Sequence, residues 1–299
     1  MQEADVINLH WVGNILNYKK FFSNVKKPIV WTLHDMNPFL GVAHYMGDRN
    51  KNTAYNDLEE KITQIKYRAI SNHHNIHIVN LCDWMAHYSM NSIVFKNRKY
   101  SIVPNSIDTE IFKLRDKDAC RKVLGIPLDV RVVLFCAQSV KNHRKGFDLL
   151  LDALKKLKNK CLLAIVGSVK ETDLPKDICH ISFGEIHDEL TMSIIYSASD
   201  VFLLPSREDN LPNTMVESLC CGIPIISYAN GGMRDVIKSE FSGMIVESQT
   251  SDAFANAIDE VLSDLSNYDN YAIAEEYSKM FAPAKQANDY ISIYKSLIL

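Results

Sequence analysis

Short apolar runs alternate with longer segments of helical periodicity along the whole chain. Before residue 105, the runs that predict strands are Val6–Leu9, Ile29–Leu33, Ile76–Val79 and Tyr100–Val103. A second series consists of Val130–Cys136, Leu162–Gly167, His180–Phe183, Val201–Leu204 and Ile223–Ser227. Strands that alternate with helices are typical of βαβ units and parallel sheets. The pattern therefore predicts an α/β protein with two doubly wound domains and a cleft between them, in which ligands bind beyond the carboxyl ends of the strands.

Two carboxylates, Asp209 and Glu217, flank a predicted helix start that follows the fourth strand of the second series. Pro212 fits the first helical turn, because its φ suits a helix and its missing N–H would have no partner there. The amides of Asn213 and Thr214 then lie at the positive end of the helix dipole, where a phosphate is stabilised. A nucleotide sugar carries both phosphates and hydroxyls and would match this segment. The alternative is an ordinary strand–loop–helix unit with solvated acids.

A basic loop follows the first strand of the second series. It ends in Arg144, Lys145 and Gly146, directly before the amphipathic segment Phe147–Leu154. Two fixed cations at a helix start can hold a diphosphate in place of a metal ion. The alternative is a basic surface loop, but its position after a strand favours a ligand site.

These motifs resemble those of the retaining glycosyltransferases of family 4, the group 1 transferases with the GT-B fold. Residues 206–217 resemble the E-x7-E donor motif of the family, with Asp209 in place of the first Glu. Lys145–Gly146 matches the end of its G-R-x4-K-G loop, and Gly231–Asp235 matches G-G-x-x-E with Asp for Glu. Val103–Asp108 resembles its P-N-G-V-D linker, and the order of all four motifs agrees with the family.

The resemblance implies a role for each residue of the donor site. Glu217 would bind the ribose hydroxyls, and either Asp209 or its neighbour Glu208 would contact the sugar ring. Arg144 would supply the guanidinium that the front of the basic loop lacks, because Ala137–Gln138 stands where Gly-Arg is expected. The other residues assigned to donor binding are Lys145, Leu211, Asn213, Thr214, Gly231, Gly232 and, at the nucleobase, Phe183.

His34 directly follows the predicted strand Ile29–Leu33. A lone histidine at a strand end is more often structural, but this context resembles the T-x-H site of the family, where the histidine meets the donor sugar. The resemblance therefore favours His34 as an active-site residue, with Asp35 orienting it or facing the acceptor. His10 ends the preceding strand and is expected to line the same cleft. The predicted catalytic group consists of His34, Asp209 and Glu208.

The resemblance also divides the chain into parts. Residues 1–105 would form a partial N-terminal domain on the acceptor side, residues 106–285 the donor domain, and residues 286–299 a terminal helix that crosses back to the first domain. The first strand and the glycine-rich loop usual in the family are not visible. We therefore expect either an internal start or an N-terminally shortened member, whose first sheet has an exposed edge at Val6–Leu9.

Composition and charge restrict the alternatives. The chain has 299 residues, of which 47% are hydrophobic and 23% charged, as in an ordinary globular protein. A net charge of −3 argues against a nucleic-acid partner. Residues Met1–Asp5 do not resemble a signal peptide, and no apolar run approaches the ~18 residues that span a membrane, so a cytoplasmic location is expected. Seven cysteines without a C-x-x-C pair argue against disulfides and zinc, and no metal or cofactor is expected.

Lysine pairs occur at Lys19–Lys20 and Lys26–Lys27. They indicate a solvated face or, alternatively, peripheral contact with anionic lipids at the inner membrane face.

The resemblance implies a retaining, metal-independent hexosyltransferase. It would move a sugar from a nucleoside diphosphate sugar to a glycan or lipid-linked acceptor in surface polysaccharide biosynthesis. The alternatives are a truncated, non-catalytic module that binds nucleotide sugars, or an epimerase or phosphorylase with the GT-B fold.

Overall fold

The computed structural model describes residues 3–13 and 15–298, apart from the side chain of Glu171. The chain forms two compact units, which we call unit 1 (Met1–Asn105 with Gln286–Leu299) and unit 2 (Ser106–Lys285). In the part of the chain that the structure describes, each unit contains one sheet, and all neighbouring strands within a sheet are parallel.

The sheet of unit 1 has four strands in the order β1-β2-β3-β4 among the described residues. The strands are β1 (Ile7–Leu9), β2 (Ile29–Leu33), β3 (Ile76–Asn80) and β4 (Lys99–Ile102). The helices are α1 (Tyr18–Asn24), α2 (Met46–Lys51), α3 (Asn56–Ile70) and α4 (Asp83–Asn91). All four predicted strands are present, with ends that shift by one residue at most. The carboxyl ends of β1 and β2 lie side by side, and β1 is at the edge of the sheet.

Polar side chains of α3 fix the loop that follows β2. The carboxylate of Glu59 accepts hydrogen bonds from the amides of Gly41, Val42 and Ala43 at 2.6–3.0 Å. The ammonium of Lys66 donates to the carbonyls of Leu40 and Gly41 at 2.8 and 2.7 Å. These hydrogen bonds fix residues 40–43 of the loop that begins at His34.

The sheet of unit 2 has six strands in the order β10-β9-β8-β5-β6-β7 among the described residues. The strands are β5 (Val132–Ser139), β6 (Leu162–Ser168), β7 (His180–Ser182), β8 (Val201–Leu204), β9 (Ile225–Tyr228) and β10 (Gly243–Val246). The helices are α5 (Lys117–Leu124), α6 (Phe147–Leu154), α7 (Glu189–Ala198), α8 (Asn213–Cys220), α9 (Met233–Val236), α10 (Ser251–Ser263) and α11 (Asn270–Met280). The last helix, α12 (Pro283–Ile298), belongs to unit 1 from Gln286 onwards.

Strand order in unit 2 reverses between β5 and β8. The chain passes from β5 to β6 and β7 on one side and then returns to β8, β9 and β10 on the other. Ligands of doubly wound sheets bind at the carboxyl ends of the strands at such a reversal. The loops after β5 and β8 are the basic and the acidic motifs, so the fold brings both to the expected binding position.

Three strands of unit 2 differ clearly from the sequence prediction. Strand β5 covers Val132–Ser139 instead of Val130–Cys136, and it ends three residues later because it pairs with β6 again at Ser139 after a register shift. Strand β10 was not predicted, because its four residues begin with glycine and give too short an apolar run. Strand β9 begins two residues later than predicted, at Ile225, because Pro224 lacks an N–H for the sheet.

Candidate active site

Backbone contacts join the loops after β5 and β8. The amide of Arg207 donates to the carbonyl of Arg144 at 2.8 Å. Gly146 has a φ of 70°, and a Cβ atom there would lie 1.9 Å from the carbonyl oxygen of Pro205. Glycine is therefore needed at position 146 both for the left-handed backbone and for this close approach.

The two predicted cations contact the carboxylate of Asp209. Lys145 Nζ lies 2.7 Å from Oδ2, and Arg144 Nη1 lies 3.2 Å from Oδ1. The side chain of Asp209 is 8% exposed, whereas those of Arg144 and Lys145 are 23% and 22% exposed. Arg144 also donates to the backbone carbonyl of Glu208 at 2.9 Å, and the side chain of Glu208 is half-buried. We call Arg144, Lys145 and Asp209 the Asp209 cluster.

The glycine pair of the G-G-x-x-E-like motif supports the backbone of Asp209. The amide of Gly232 donates to the carbonyls of Asp209 and Asn210 at 3.2 and 2.9 Å. Gly231 has a φ of 94°, and a Cβ atom there would lie 1.8 Å from the carbonyl oxygen of Asp209. The glycine pair thus lets the backbone pack closely against the acidic loop.

Helix α8 begins at Asn213, one residue later than predicted. Pro212 is the N-cap residue, because its ψ of 127° is extended, and it does not lie in the first turn. The amides of Asn213 and Thr214 form the start of the helix, where the dipole favours an anion. The side chain of Leu211 is buried beneath this start.

Glu217 lies on the same helix, one turn further along. Tyr196 Oη on α7 donates to its carboxylate at 2.9 Å. Burial raises the pKa of Glu217 to about 6, while the hydrogen bond from Tyr196 acts in the opposite direction. Tyr196 was not identified from the sequence, because nothing in α7 itself indicates a contact with a helix that follows β8.

Phe183 directly follows β7, the edge strand two positions from β5. Its amide donates to the carbonyl of Ile165 at 2.9 Å, and its side chain is half-buried. Strands lie about 4.8 Å apart, so Phe183 is about 10 Å from β5 across the sheet. It therefore lies well to one side of the Asp209 cluster.

In unit 1, His34 stacks on His10. The two residues follow β2 and β1, and His10 Nδ1 lies 3.0 Å from His34 Nε2. Their ring centroids are 5.2 Å apart, with an angle of 28° between the ring planes. Burial, followed by the nearby His10, lowers the pKa of His34, whereas Asp35 acts in the opposite direction. The rings can share a hydrogen bond only if one nitrogen donates and the other accepts.

The carboxylate of Asp35 contacts three further residues near the His10–His34 pair. Its Oδ2 lies 2.7 Å from His44 Nδ1 and accepts a hydrogen bond from Trp11 Nε1 at 3.1 Å. Its Oδ1 accepts from the amide of Asn37 at 3.0 Å. His44 and Trp11 were not identified from the sequence, because His44 reaches Asp35 only through the folding of the loop after β2, and Trp11 reaches it from the segment after the neighbouring strand β1.

Residues 3–13 and 15–298 contain no group of three or more His, Cys, Asp or Glu side chains that could hold a metal ion. None of their helices combines the length and the apolar character needed to cross a bilayer.

Sequence comparisons agree with the motifs. The family model described as glycosyl transferases group 1 matches residues 116–279. A D-inositol 3-phosphate glycosyltransferase from Geodermatophilus obscurus is 27% identical over 256 residues, which cover 79% of this chain and 54% of that relative. An uncharacterised glycosyltransferase from Methanocaldococcus jannaschii is 25% identical over 214 residues, which cover 66% of this chain and 54% of that relative. The chain thus spans about half the length of the curated relatives it matches.

Solved structures share the fold. Sucrose-phosphate synthase from Thermosynechococcus elongatus matches with a TM-score of 0.78 and 19% identity, over 98% of this chain and 73% of that one. HepE from Anabaena, solved in complex with UDP-glucose, matches with a TM-score of 0.69 and 15% identity, over 98% of this chain and 79% of that one. With two parallel sheets covered by helices, the chain has the predicted GT-B fold of two Rossmann-like domains. Since the family model matches more than half of its residues, the chain belongs to the group 1 glycosyltransferases.

Proposed function

We propose that this chain binds a nucleoside diphosphate sugar at the carboxyl ends of β5 and β8 and transfers the sugar to an acceptor hydroxyl with retention of configuration. The Asp209 cluster carries this proposal, because it combines two cations and a carboxylate beside the start of α8. A diphosphate is recognised by cations and helix-start amides, and sugar hydroxyls are recognised by carboxylates.

Each part of the donor has a proposed partner. Arg144 and Lys145 bind the diphosphate together with the amides of Asn213 and Thr214, and the amide of Leu211 adds a further donor. Glu217 accepts hydrogen bonds from the ribose hydroxyls, and the nucleobase lies towards Phe183. The sugar ring is bound by Asp209 or Glu208, with Gly231 and Gly232 supporting the backbone of Asp209.

The diphosphate and Asp209 compete for the same two cations. Lys145 Nζ lies 2.7 Å from Asp209 Oδ2, which is the length of a charge-assisted hydrogen bond. A diphosphate that takes over Arg144 and Lys145 makes the oxygens of Asp209 available to sugar hydroxyls. Binding of the diphosphate therefore makes Asp209 available to the sugar. A complete nucleotide sugar should bind more tightly than the bare nucleotide, because only the complete donor gives Asp209 a new partner.

In the proposed reaction, no protein group needs to form a covalent bond to the sugar. The bond between the anomeric carbon and the β-phosphate oxygen breaks, and the acceptor oxygen forms a new bond to the anomeric carbon on the same face. The acceptor proton passes to the departing phosphate oxygen, so charge balances without an enzymic base. Because Arg144 and Lys145 supply two fixed positive charges to the leaving group, we infer that transfer does not depend on a divalent metal ion.

The donor and the acceptor are proposed in less detail. The complex of HepE with UDP-glucose supports a uridine nucleotide and a hexose as the donor. The proposed acceptor is a glycan or a lipid-linked sugar of a surface polysaccharide. We assign His34, stacked on His10, to contact with the donor sugar during transfer.

A product assay tests this function. The chain is incubated with UDP-[14C]glucose, with and without a panel of free and polyprenyl-linked glycans, and the anomeric configuration of the product is read by NMR. We expect a retained linkage with acceptor, an unchanged rate in EDTA, and loss of product with Glu217→Ala. Donor conversion without acceptor would indicate an epimerase, a need for free phosphate would indicate a phosphorylase, and an inverted product would contradict the proposed mechanism.

A further inference from the structure

Positive charge is concentrated at the amino-terminal edge of the unit 1 sheet. Unit 1 holds 13 Lys and Arg against 9 Asp and Glu, a formal charge of +4, whereas unit 2 holds 20 against 27. Residues 17–28 and 67–75, directly before β2 and β3, and residues 93–99, which end at the first residue of β4, contain no Asp or Glu, whereas the segment before β1 carries Glu3 and Asp5. Together the three segments without acids contain eight of the basic residues, Lys19, Lys20, Lys26, Lys27, Arg68, Lys96, Arg98 and Lys99.

Six of these cations line two adjoining cavities. The first cavity, about 700 Å³ in volume, is lined by Lys19, Lys26 and Arg68. The second, about 490 Å³, is lined by Lys96, Arg98 and Lys99. His74 and Asn75 line both cavities, so the six cations belong to one continuous surface. We call these six residues the cationic edge.

Internal pairing does not account for these charges. Among the described residues, no carboxylate lies within ion-pair distance of any cation of the edge. Arg98 is half-buried and donates to the backbone carbonyls of His73 and Ile70. The other five side chains are exposed. His73 also lines the first cavity, and its buried Nε2 has no hydrogen-bond partner in the described structure.

Apolar side chains accompany the cations. Tyr67 is 41% exposed and Ile93 is 49% exposed, and both line the second cavity together with Leu297. Cations attract anionic head groups, and neighbouring aliphatic and aromatic side chains bind at the boundary between head groups and acyl chains. A nucleic acid would match the charge but not the exposed aliphatic side chains. We propose that the cationic edge docks unit 1 onto an anionic membrane surface.

This orientation restricts the acceptor. His10 and His34 lie at the carboxyl ends of β1 and β2, whereas the cationic edge lies at the opposite ends of the strands. A five-residue strand such as β2 spans about 17 Å at roughly 3.3 Å per residue. If His34 contacts the donor sugar, as the proposed function holds, the acceptor hydroxyl lies at least that far from the lipid. A glycan of several sugars would reach it, whereas a sugar attached directly to the head group would not.

Co-sedimentation of the full chain with vesicles tests the docking independently of sugar transfer. The vesicles contain either phosphatidylcholine alone or phosphatidylcholine with phosphatidylglycerol. We expect binding only to the anionic vesicles, with loss of binding at high salt. Each cation near an anionic surface contributes about a fivefold gain in partitioning, so Arg68→Gln/Lys96→Gln/Lys99→Gln should weaken binding about a hundredfold.

A matched variant of unit 2, Lys158→Gln/Lys160→Gln/Lys176→Gln, removes three exposed cations elsewhere and should bind vesicles as the wild type does. UDP binding, measured on both variants, shows that each is folded. The proposed docking is overturned if the wild type does not bind anionic vesicles at low salt. It is also overturned if the unit 2 control variant loses as much vesicle binding as the unit 1 variant. Tighter binding to single-stranded RNA than to vesicles at equal phosphate concentration would likewise overturn it.

Discussion

Lys145 and Asp209 lie 2.7 Å apart although 64 residues separate them in sequence. They come from the loops after β5 and β8, two neighbouring strands of the unit 2 sheet. The resemblance assigned the lysine to a diphosphate and the aspartate to a sugar. Because the two residues pair with each other, entry of a donor requires an exchange of ion-pair partners.

The first prediction concerns this exchange. Asp209→Asn removes the carboxylate that competes for Arg144 and Lys145, so we expect UDP to bind about tenfold more tightly, a gain of about 1.4 kcal/mol. Transfer should fall about a hundredfold or more, because the sugar loses its carboxylate. Isothermal titration with UDP and a transfer assay measure the two effects. Asp148→Asn, which breaks the ion pair between Asp148 on α6 and Arg207 in the loop after β8, is the control and should change neither by as much. Weaker UDP binding by Asp209→Asn would contradict the competition.

The second prediction is a pH dependence of nucleotide binding. Burial raises the pKa of Glu217 to about 6, and only the ionised carboxylate accepts hydrogen bonds from both ribose hydroxyls at full strength. UDP affinity should therefore fall as the pH decreases through about 6. Titrations between pH 5 and pH 8 in the wild type and in Glu217→Gln check this, since the variant should lose the dependence. A variant with an unchanged pH profile would show that another group is responsible.

Glu217 should also reduce stability at neutral pH. Its pKa is about 6 in the folded protein against 4.5 for an ordinary glutamate, so the folded state binds more protons between these values. The free energy of unfolding therefore falls as the pH rises through this range, by about 2 kcal/mol in total. Urea unfolding should show Glu217→Gln to be more stable than the wild type by up to that amount at pH 7.5, with little difference near pH 4.5. Glu185→Gln, at an exposed site, should show no such gain.

The fourth prediction separates backbone strain from loss of the site. Gly231 and Gly125 both have positive φ, but a Cβ atom at Gly231 would lie 1.8 Å from the carbonyl oxygen of Asp209, whereas one at Gly125 meets nothing within 4 Å. Alanine at either position costs about 1 kcal/mol of backbone strain. Only Gly231→Ala displaces the acidic loop, so only this variant should lose UDP-glucose binding, by about tenfold or more. If both variants bound UDP-glucose equally well, Gly231 would have no role in donor binding.

Local sequence signals predicted most of the regular structure. The bounds of β2, β8 and α6 are as predicted, because apolar runs end there at polar, proline or glycine residues. Strand β10 was missed because its four residues begin with glycine, which leaves a run of only three apolar side chains. Pro212 was assigned to the first turn of α8, yet its extended ψ makes it the N-cap residue. Local pattern thus predicts an element more reliably than its terminal residue.

Contacts between distant segments were not predictable. Tyr196 donates to Glu217, and Trp11 donates to Asp35, only because the fold brings separate segments together. The motifs identified Asp209 and Lys145 separately, but their pairing depends on the strand order of unit 2. The same holds for the cationic edge, whose segments are spread over about 80 residues. The sequence suggested lipid contact only for the lysines near α1.

Titration of UDP into the Arg144→Ala/Lys145→Ala variant tests the central claim most directly. The claim is that these two cations, beside Asp209 and the start of α8, hold the diphosphate of the donor. We predict that the wild type binds UDP and that the double variant binds at least a hundredfold more weakly. Circular dichroism checks that the variant is folded, because its melting temperature should fall when the buried carboxylate of Asp209 loses both cations. Undiminished UDP binding by the double variant, or no UDP binding by the wild type, would contradict the account.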